Sequence, residues 1–230
     1  MEISTIDLKS IFDGKHAQRL LILGSSGSGK SYFMKLLYLA NRRRFDELYV
    51  VTDSLNNSFY SKFDGGVQLF DDTTGDTMVR VAEGLISSQM SDHLLDTRRD
   101  GTYIFDREVM FICDDIISRK AVFSDSWSRV YGTARKASVN IAFLCHSPHS
   151  MVSPAMKLSS TYIIIFNLGG SQTAIQWAIS TIADKLPTNE YESRKDHLMR
   201  ARSLYYNLTR EKYSAIIIDQ NTSTIYSYKG

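Results

Sequence analysis

Gly24-Ser25-Ser26-Gly27-Ser28-Gly29-Lys30-Ser31 matches the phosphate-loop pattern G-x-x-x-x-G-K-[ST] without a mismatch. The flanking residues suit it. Arg19-Leu20-Leu21-Ile22-Leu23 precedes it as a short apolar strand, and Tyr32 to Ala40 follows as a helical pattern without Gly or Pro. Strand, glycine loop, helix is the arrangement in which the motif works. Glycines let the backbone curl close to a phosphate with no Cβ in the way. The curled loop aims N–H groups inward, and the helix adds the positive end of its dipole. Gly24, Ser25, Ser26, Gly27, Ser28, Gly29, Lys30 and Ser31 are therefore the expected nucleotide-binding residues. Lys30 would reach the β- and γ-phosphates of ATP, and the Ser31 hydroxyl would ligate Mg2+.

Outward from the loop, further apolar runs alternate with helical patterns: Leu48–Val51, Val109–Cys113, Asn140–Cys145 and Tyr162–Phe166. Most are continuous rather than alternating, as strands covered on both faces are. The expectation is an α/β P-loop NTPase fold: a mainly parallel central sheet with helices on both faces. Ser214–Asp219 and Thr224–Tyr228 flank Gln220-Asn221-Thr222-Ser223 and read as a closing β-hairpin. Residues 85–107 are polar and read as a helix plus an ordered loop. No repeat or low-complexity linker divides the chain, so 1–230 is taken as a single domain.

Composition is that of an ordinary globular chain: 230 residues, 43% hydrophobic and 23% charged. The N-terminus carries two acids, Glu2 and Asp7, and no apolar core of a signal peptide. No apolar run approaches the length of about 18 residues that a membrane span needs. Cys113 and Cys145 each end an apolar run and read as buried, reduced thiols, which points to an intracellular protein. The net charge of +2 says little about partners.

Hydrolysis needs more than a phosphate loop. Val109-Met110-Phe111-Ile112-Cys113-Asp114-Asp115 is a hydrophobic strand ending in two carboxylates, the Walker B form. Asp114 would hold Mg2+, and Asp115 would orient and deprotonate the attacking water. A glutamate is commoner at the second position, and the shorter arm of Asp115 must still reach the water. The next strand ends in His146, beside Walker B in the sheet. It can touch the γ-phosphate or the water, or make a structural bond. His149 has weaker support. Asp53, Asp71 and Asp72 also follow apolar runs; for Asp71 and Asp72 the favoured reading is a solvated turn.

This order of features, with Gly132 to Asn140 carrying an Arg into the fourth strand and Ile163-Ile164-Ile165-Phe166 after it, resembles the FtsK–HerA superfamily of ring-forming DNA-pumping ATPases. Within it the pattern is similar to the compact genome-packaging ATPases of poxvirus-like and other double-stranded DNA viruses with internal membranes. The resemblance spans residues 18–170; the C-terminal third matches only in kind. It implies a RecA/FtsK-like fold, a Mg-dependent ATPase, and a translocase that loads double-stranded DNA into a capsid. It also implies a homo-oligomeric ring, a hexamer or pentamer, with capsid-vertex or viral membrane proteins as further partners. The host cytoplasm, the assembly site or the virion would be its location.

At matching positions, Lys30 and Ser31 take the Walker A roles and Asp114 and Asp115 the Walker B roles. His146 falls where the family usually has Gln. Arg135 falls where members carry an Arg that can act on a neighbouring subunit's γ-phosphate; a planar, permanently charged guanidinium suits that task. Arg129 competes for this role, and Lys157 stands where relatives often place another Arg. All three also read as solvated or DNA-facing bases. Residues 116–139 hold Arg119, Lys120, Arg129, Arg135 and Lys136 against one acid, Asp125, which suits backbone phosphates of duplex DNA. Trp127 and Tyr131 in that segment read equally as packing residues. Residues 188–202 are a second basic stretch, read as a DNA face or a subunit interface.

Two other functions stay open. One is a nucleoside or nucleotide kinase, for which Arg42-Arg43-Arg44 or Arg98-Arg99 would supply a lid. The other is a nucleotide-switched assembly protein. Paired aspartates at a strand end favour water as the acceptor.

Overall fold

The computed structural model describes residues 3–12, 16–52, 59–63, 66–92, 107–116, 118–188 and 191–230. Asp53, Arg98, Arg99 and the stretch 93–106 lie outside the described residues. Among those described, eight strands form one sheet in the order β3-β2-β4-β5-β1-β6-β7-β8. The strands are β1 (Arg19–Leu23), β2 (Glu47–Thr52), β3 (Gln68–Asp71), β4 (Val109–Asp114), β5 (Val139–Cys145), β6 (Tyr162–Ile165), β7 (Ala215–Asp219) and β8 (Thr224–Tyr228). All neighbours from β3 to β6 pair in parallel. β7 runs antiparallel to β6, and β8 returns along it as the expected hairpin.

Helices α1 (Lys30–Ala40), α2 (Asp76–Asp92), α3 (Arg119–Val122), α4 (Asp125–Thr133), α5 (Pro148–Met151), α6 (Pro154–Ser159), α7 (Gln172–Ala183) and α8 (Arg194–Leu208) cover the sheet. Side chains alternate between two cores because successive Cβ atoms of a strand point to opposite faces. Leu21 and Leu23 of β1 join the core shared with Trp127, Met156 and Ile182. Leu20 and Ile22 join the core shared with Phe33, Leu37 and Tyr60. Burial on both faces is why these strands read as unbroken apolar runs. Each such Leu, Ile or Phe, fully buried, stabilises the fold by about 1.5–3 kcal/mol.

Several helices start on a serine. Ser118, Ser124, Ser153, Ser171 and Ser193 each accept from a backbone N–H of the first turn that follows, satisfying donors that the helix itself leaves free. The N-terminal segment covers one sheet edge, with Ile6 N–H donating to Ser227 O and Ser227 N–H to Ser4 O. No described helix is long and apolar enough to cross a membrane.

Three sequence expectations are refined here. Trp127 and Tyr131 are fully buried packing residues, at 0% and 1% exposure. Cys113 and Cys145 are buried and free; burial pushes the Cys145 thiol up to about 12. Asp72 is not a solvated turn acid. It is buried, and its carboxylate accepts from the backbone N–H groups of Thr74, Gly75 and Met78 at the start of α2. A chain that turns from β3 into α2 leaves those donors pointing at one spot, and a short acid there satisfies them together. Asp71, one residue earlier, is exposed. The helical part of the polar 85–107 stretch is the end of α2.

Candidate active site

In parallel register, Leu23 of β1 lies beside Cys145 of β5, and Asp114 of β4 beside Leu144. The residues that follow these strands therefore emerge together at the carboxyl edge of the sheet, where α/β sites gather. Gly24 N–H donates to Cys145 O at 3.2 Å, and Asp115 N–H to Leu144 O at 3.3 Å, which fixes the loop bases against one another.

The phosphate loop leaves β1 at Gly24, where a Cβ would fall 2.3 Å from Ser28 Oγ and 2.8 Å from Phe166 Cβ. Gly27 and Gly29 have φ of +71° and +105°, a region that costs glycine little and other residues more. On its outer side the loop is pinned by Ser25, whose N–H and hydroxyl both donate to Asn167 O, at 2.9 and 3.0 Å. Gly29 is the N-cap of α1 and makes no side-chain hydrogen bond. The first N–H groups of α1 therefore carry no serine cap, which suits an anion there.

Lys30, at the start of α1, is buried at 5% exposure. Its Nζ donates to Gly24 O at 3.0 Å and Ser25 O at 3.3 Å, and lies 2.9 Å from His146 Nδ1. Those partners use the three hydrogens of the ammonium. Nδ1 also lies 3.0 Å from Gly24 O, so it accepts from Lys30 when the ring is neutral and donates to that carbonyl when the ring is protonated. Nε2 lies 2.6 Å from Asp115 Oδ1. Burial lowers the Lys30 pKa, and the charges of Asp115 and Asp114 pull against that.

Asp114 is buried, whereas Asp115 is partly exposed. Asp114 Oδ2 accepts from Ser31 Oγ at 2.8 Å and from the Tyr60 hydroxyl. Its Oδ1 is buried with no hydrogen-bond partner among the described residues. Burial, aided by the Asp115 charge, raises the Asp114 pKa against the bonds from Tyr60 and Ser31 and the charge of Lys30. For Asp115, burial pushes the pKa up, but the hydrogen bond and charge of His146 and the charge of Lys30 outweigh it, so the net shift is downward. Asp115 has φ +56°. Asp tolerates this left-handed region better than a longer or branched residue, a local reason for Asp at a position where Glu is commoner.

Magnesium prefers hard oxygen donors and is commonly held by one or two carboxylates together with substrate phosphates. Ser31 Oγ and the unpartnered Asp114 Oδ1, on one small buried patch, fit that requirement. They are the residues that would hold it.

Tyr60 is a site residue that sequence reading missed. It lies in a 3-10 turn, Tyr60–Lys62, is 0% exposed, and carries no motif. Only the approach of that turn to the end of β4 identifies it.

The remaining candidates lie elsewhere. Arg135 is exposed in the turn Ala134–Ala137 before β5, at the opposite end of the sheet from His146. Arg129 pairs with Glu83 at 3.1 Å, and Lys157 with Asp184 at 3.3 Å. His149 is exposed on α5. In the 188–202 stretch, Arg200 pairs with Glu192, and His197 contacts Glu192 and Ala183 O, while Arg194, Lys195 and Arg202 are exposed. Arg42, Arg43 and Arg44 form a turn after the C-terminus of α1, with Arg44 paired to Glu108 at 2.6 Å. That turn is the full length of α1 away from the phosphate loop, so it cannot close over a bound nucleotide.

A family model described as Poxvirus A32 protein matches residues 12–227. No curated protein matches the sequence. Among solved structures, the genome packaging NTPase B204 from Sulfolobus turreted icosahedral virus 2, in complex with AMP, aligns with a TM-score of 0.61 at 16% identity, over 93% of this chain and 97% of that chain. B204 has also been solved in complex with ATP-gammaS and with AMPPCP. The cytoplasmic domain of the Thermomonospora curvata Type VII secretion ATPase EccC aligns with a TM-score of 0.58 at 10% identity, over 100% of this chain and 26% of that chain. At such identities the likeness is one of fold, and it matches the expected FtsK-like P-loop ATPase architecture.

Proposed function

The chain belongs to the poxvirus A32 protein family, and on that premise we propose that it is an ATP-hydrolysing translocase that packages viral double-stranded DNA. The observation that carries the catalytic half is the meeting of Lys30, Ser31, Asp114, Asp115 and His146 at one sheet edge. The likeness in fold to the genome packaging NTPase B204 supports the packaging half.

In this reading the phosphate loop and the start of α1 hold the phosphates, and Lys30 exchanges its carbonyl partners for β- and γ-phosphate oxygens. Ser31 and Asp114 would hold Mg2+, which would supply charge neutralisation on the phosphates. Asp115 orients a water and accepts its proton as the water oxygen attacks the γ-phosphorus; the bond to the β-phosphate oxygen breaks, leaving ADP and phosphate. His146, bonded to both Asp115 and Lys30, sets the direction of the carboxylate and registers whether Lys30 has moved to phosphate.

The chain would act as a homo-oligomeric ring around duplex DNA, with Arg135 reaching the neighbouring subunit's site. The exposed bases of residues 118–138 would touch backbone phosphates without reading sequence. A kinase reading has less support, since Arg42–Arg44 lies at the wrong end of the sheet for a lid.

The test is steady-state ATP hydrolysis with and without long double-stranded DNA, at low and moderate salt, in the wild type, Lys30→Ala and Asp115→Asn. A translocase shows salt-sensitive stimulation by DNA. Lys30→Ala loses nucleotide binding, while Asp115→Asn binds ATP and does not cleave it. ADP formed only when a nucleoside or nucleotide acceptor is added would replace the motor with a kinase.

A further inference from the structure

The groups described so far account for one side of the phosphate loop. β1 lies between β5 and β6, and Asp114, Asp115 and His146 all come from the β4–β5 side. On the other side, the segment 209–214 between α8 and β7 folds over the loop. Asn167, whose carbonyl pins Ser25, also donates its side-chain N–H to Thr209 O at 3.3 Å. Between Ser25–Ser28 and this segment is a cavity of about 270 Å³.

Tyr213 stands at the rim of that cavity under unusual constraint. Its φ is +67°, a conformation that a bulky residue holds only when its surroundings impose it. The ring lies on the phosphate loop so closely that a Cβ on Gly29 would come 2.8 Å from Tyr213 Cδ1. On its other side, a Cβ on Gly230 would come 2.7 Å from Tyr213 Cβ. Glycines at both places make room for the tyrosine. Tyr213 is nevertheless 39% exposed, and Tyr32, its neighbour at 6.5 Å between ring centroids, is 51% exposed. Lys212 Nζ rests 4.8 Å from the Tyr213 ring centroid. An aromatic ring held in a strained backbone, left partly open and set beside a phosphate loop has the requirements of a stacking platform.

We propose that the cavity between Ser25–Ser28 and residues 209–214 receives the nucleoside of the bound nucleotide, with the base on the Tyr213 ring. The proposal rests on the nucleotide-binding reading of the phosphate loop and assigns a role to the C-terminal segment. Phosphates at Lys30 and a nucleoside at Tyr213 place the two ends of one ligand on opposite sides of the loop. Arg210, Glu211 and Lys212 are exposed, and the buried hydroxyls of Thr209 and Ser214 already donate to Tyr205 O and Glu211 O. Strong rejection of a wrong base needs buried polar groups that would be left unpaired. Stacking alone is tolerant of base identity. The site therefore accepts purine nucleoside triphosphates with little discrimination between adenine and guanine.

The experiment is displacement of a fluorescent ADP analogue (an N-methylanthraniloyl ester on the ribose) from the full chain by ATP, GTP and inorganic tripolyphosphate. Tyr213→Gly removes the ring and suits the positive φ; Tyr213→Phe keeps the ring; Tyr32→Ser probes the neighbour; Lys30→Ala tests the phosphate end. Tyr213→Gly is expected to weaken ATP and GTP about 10-fold and to leave tripolyphosphate unchanged, with affinity restored in Tyr213→Phe. ATP and GTP bind the wild type within a few-fold of each other. Unchanged ATP affinity in Tyr213→Gly overturns the proposal, whatever Tyr32→Ser does. Equal loss of ATP and tripolyphosphate in Tyr213→Gly also overturns it, because the segment would then act on the phosphates. Tripolyphosphate and ATP binding that survive in Lys30→Ala would overturn the phosphate-loop reading itself, a separate failure.

Discussion

His146 Nε2 lies 2.6 Å from Asp115 Oδ1, and the two side chains shift each other's protonation in opposite directions. The bond to Asp115 raises the His146 pKa above its ordinary 6.5, against burial and the Lys30 charge. Burial would raise Asp115, but the bond and charge of His146 lower it below 3.8.

The pH dependence follows from those signs. The His146 contribution to stability is full below pH 6.5 and fades as pH rises through its raised pKa. The Asp115 contribution is full above pH 3.8 and fades as pH falls through its lowered pKa. The melting-temperature gap between the wild type and His146→Gln is therefore largest between pH 3.8 and 6.5 and closes on the alkaline side. Both side chains are more than a third exposed, at 42% and 38%, so the gap is at most about 2–4 °C. In the proposed hydrolysis, an imidazolium at His146 would neutralise Asp115 as the base. Wild-type kcat should rise through a transition above pH 6.5 that His146→Gln lacks. Identical profiles would remove His146 from the chemistry.

Tyr60→Phe keeps the buried ring and removes one of two donors to Asp114 Oδ2, the other being Ser31. A hydrogen bond to a charged group contributes about 1.5–3 kcal/mol, so denaturant unfolding should show a loss of that order. The same donor favours the charged form of Asp114, whose pKa burial already raises. The variant should need more Mg2+ for half-maximal hydrolysis, with a smaller change in ATP affinity. An unchanged Mg2+ requirement would confine Tyr60 to packing.

If Arg135 acts in the proposed ring, Arg135→Ala should leave nucleotide affinity of the isolated chain intact and abolish hydrolysis in the assembly. β5, Val139–Cys145, separates Arg135 from His146, a span of about 20 Å at 3.3 Å per residue. Arg135 therefore cannot serve its own site. Subunits carrying Lys30→Ala but an intact Arg135 should restore turnover when mixed with Arg135→Ala subunits. No recovery in mixed rings would argue against action across the interface.

Asp72→Ala removes the acceptor shared by Thr74, Gly75 and Met78. Loss of a helix N-cap costs about 0.5–2 kcal/mol, and burial of the freed donors places this site at the upper end. Chemical denaturation should show that loss with nucleotide affinity unchanged.

Much of this molecule is local and so was readable along the chain. The phosphate loop is a device of consecutive residues: its glycines, its lysine and the helix after it depend on one another within a single turn. The buried strands announced themselves because burial on two faces demands unbroken apolar runs, and the closing hairpin because its turn lies between two such runs. The ends of β1, β4 and β5 could be nominated as one edge because parallel strands bring their carboxyl ends together.

What the sequence left open depends on approach between segments far apart in the chain. Tyr60 reaches Asp114 across the core, and nothing in its neighbours signals it. Asp72 looked like a solvated turn acid because its partners are backbone N–H groups, which every sequence contains. The positive φ of Asp115 and Tyr213, and the closure of residues 209–214 over Gly29, follow from how β4 and β7 seat in the sheet. Apolar periodicity and loop chemistry act over a few residues and can be read from order alone. Hydrogen bonds and burial between distant segments exist only once the chain has packed.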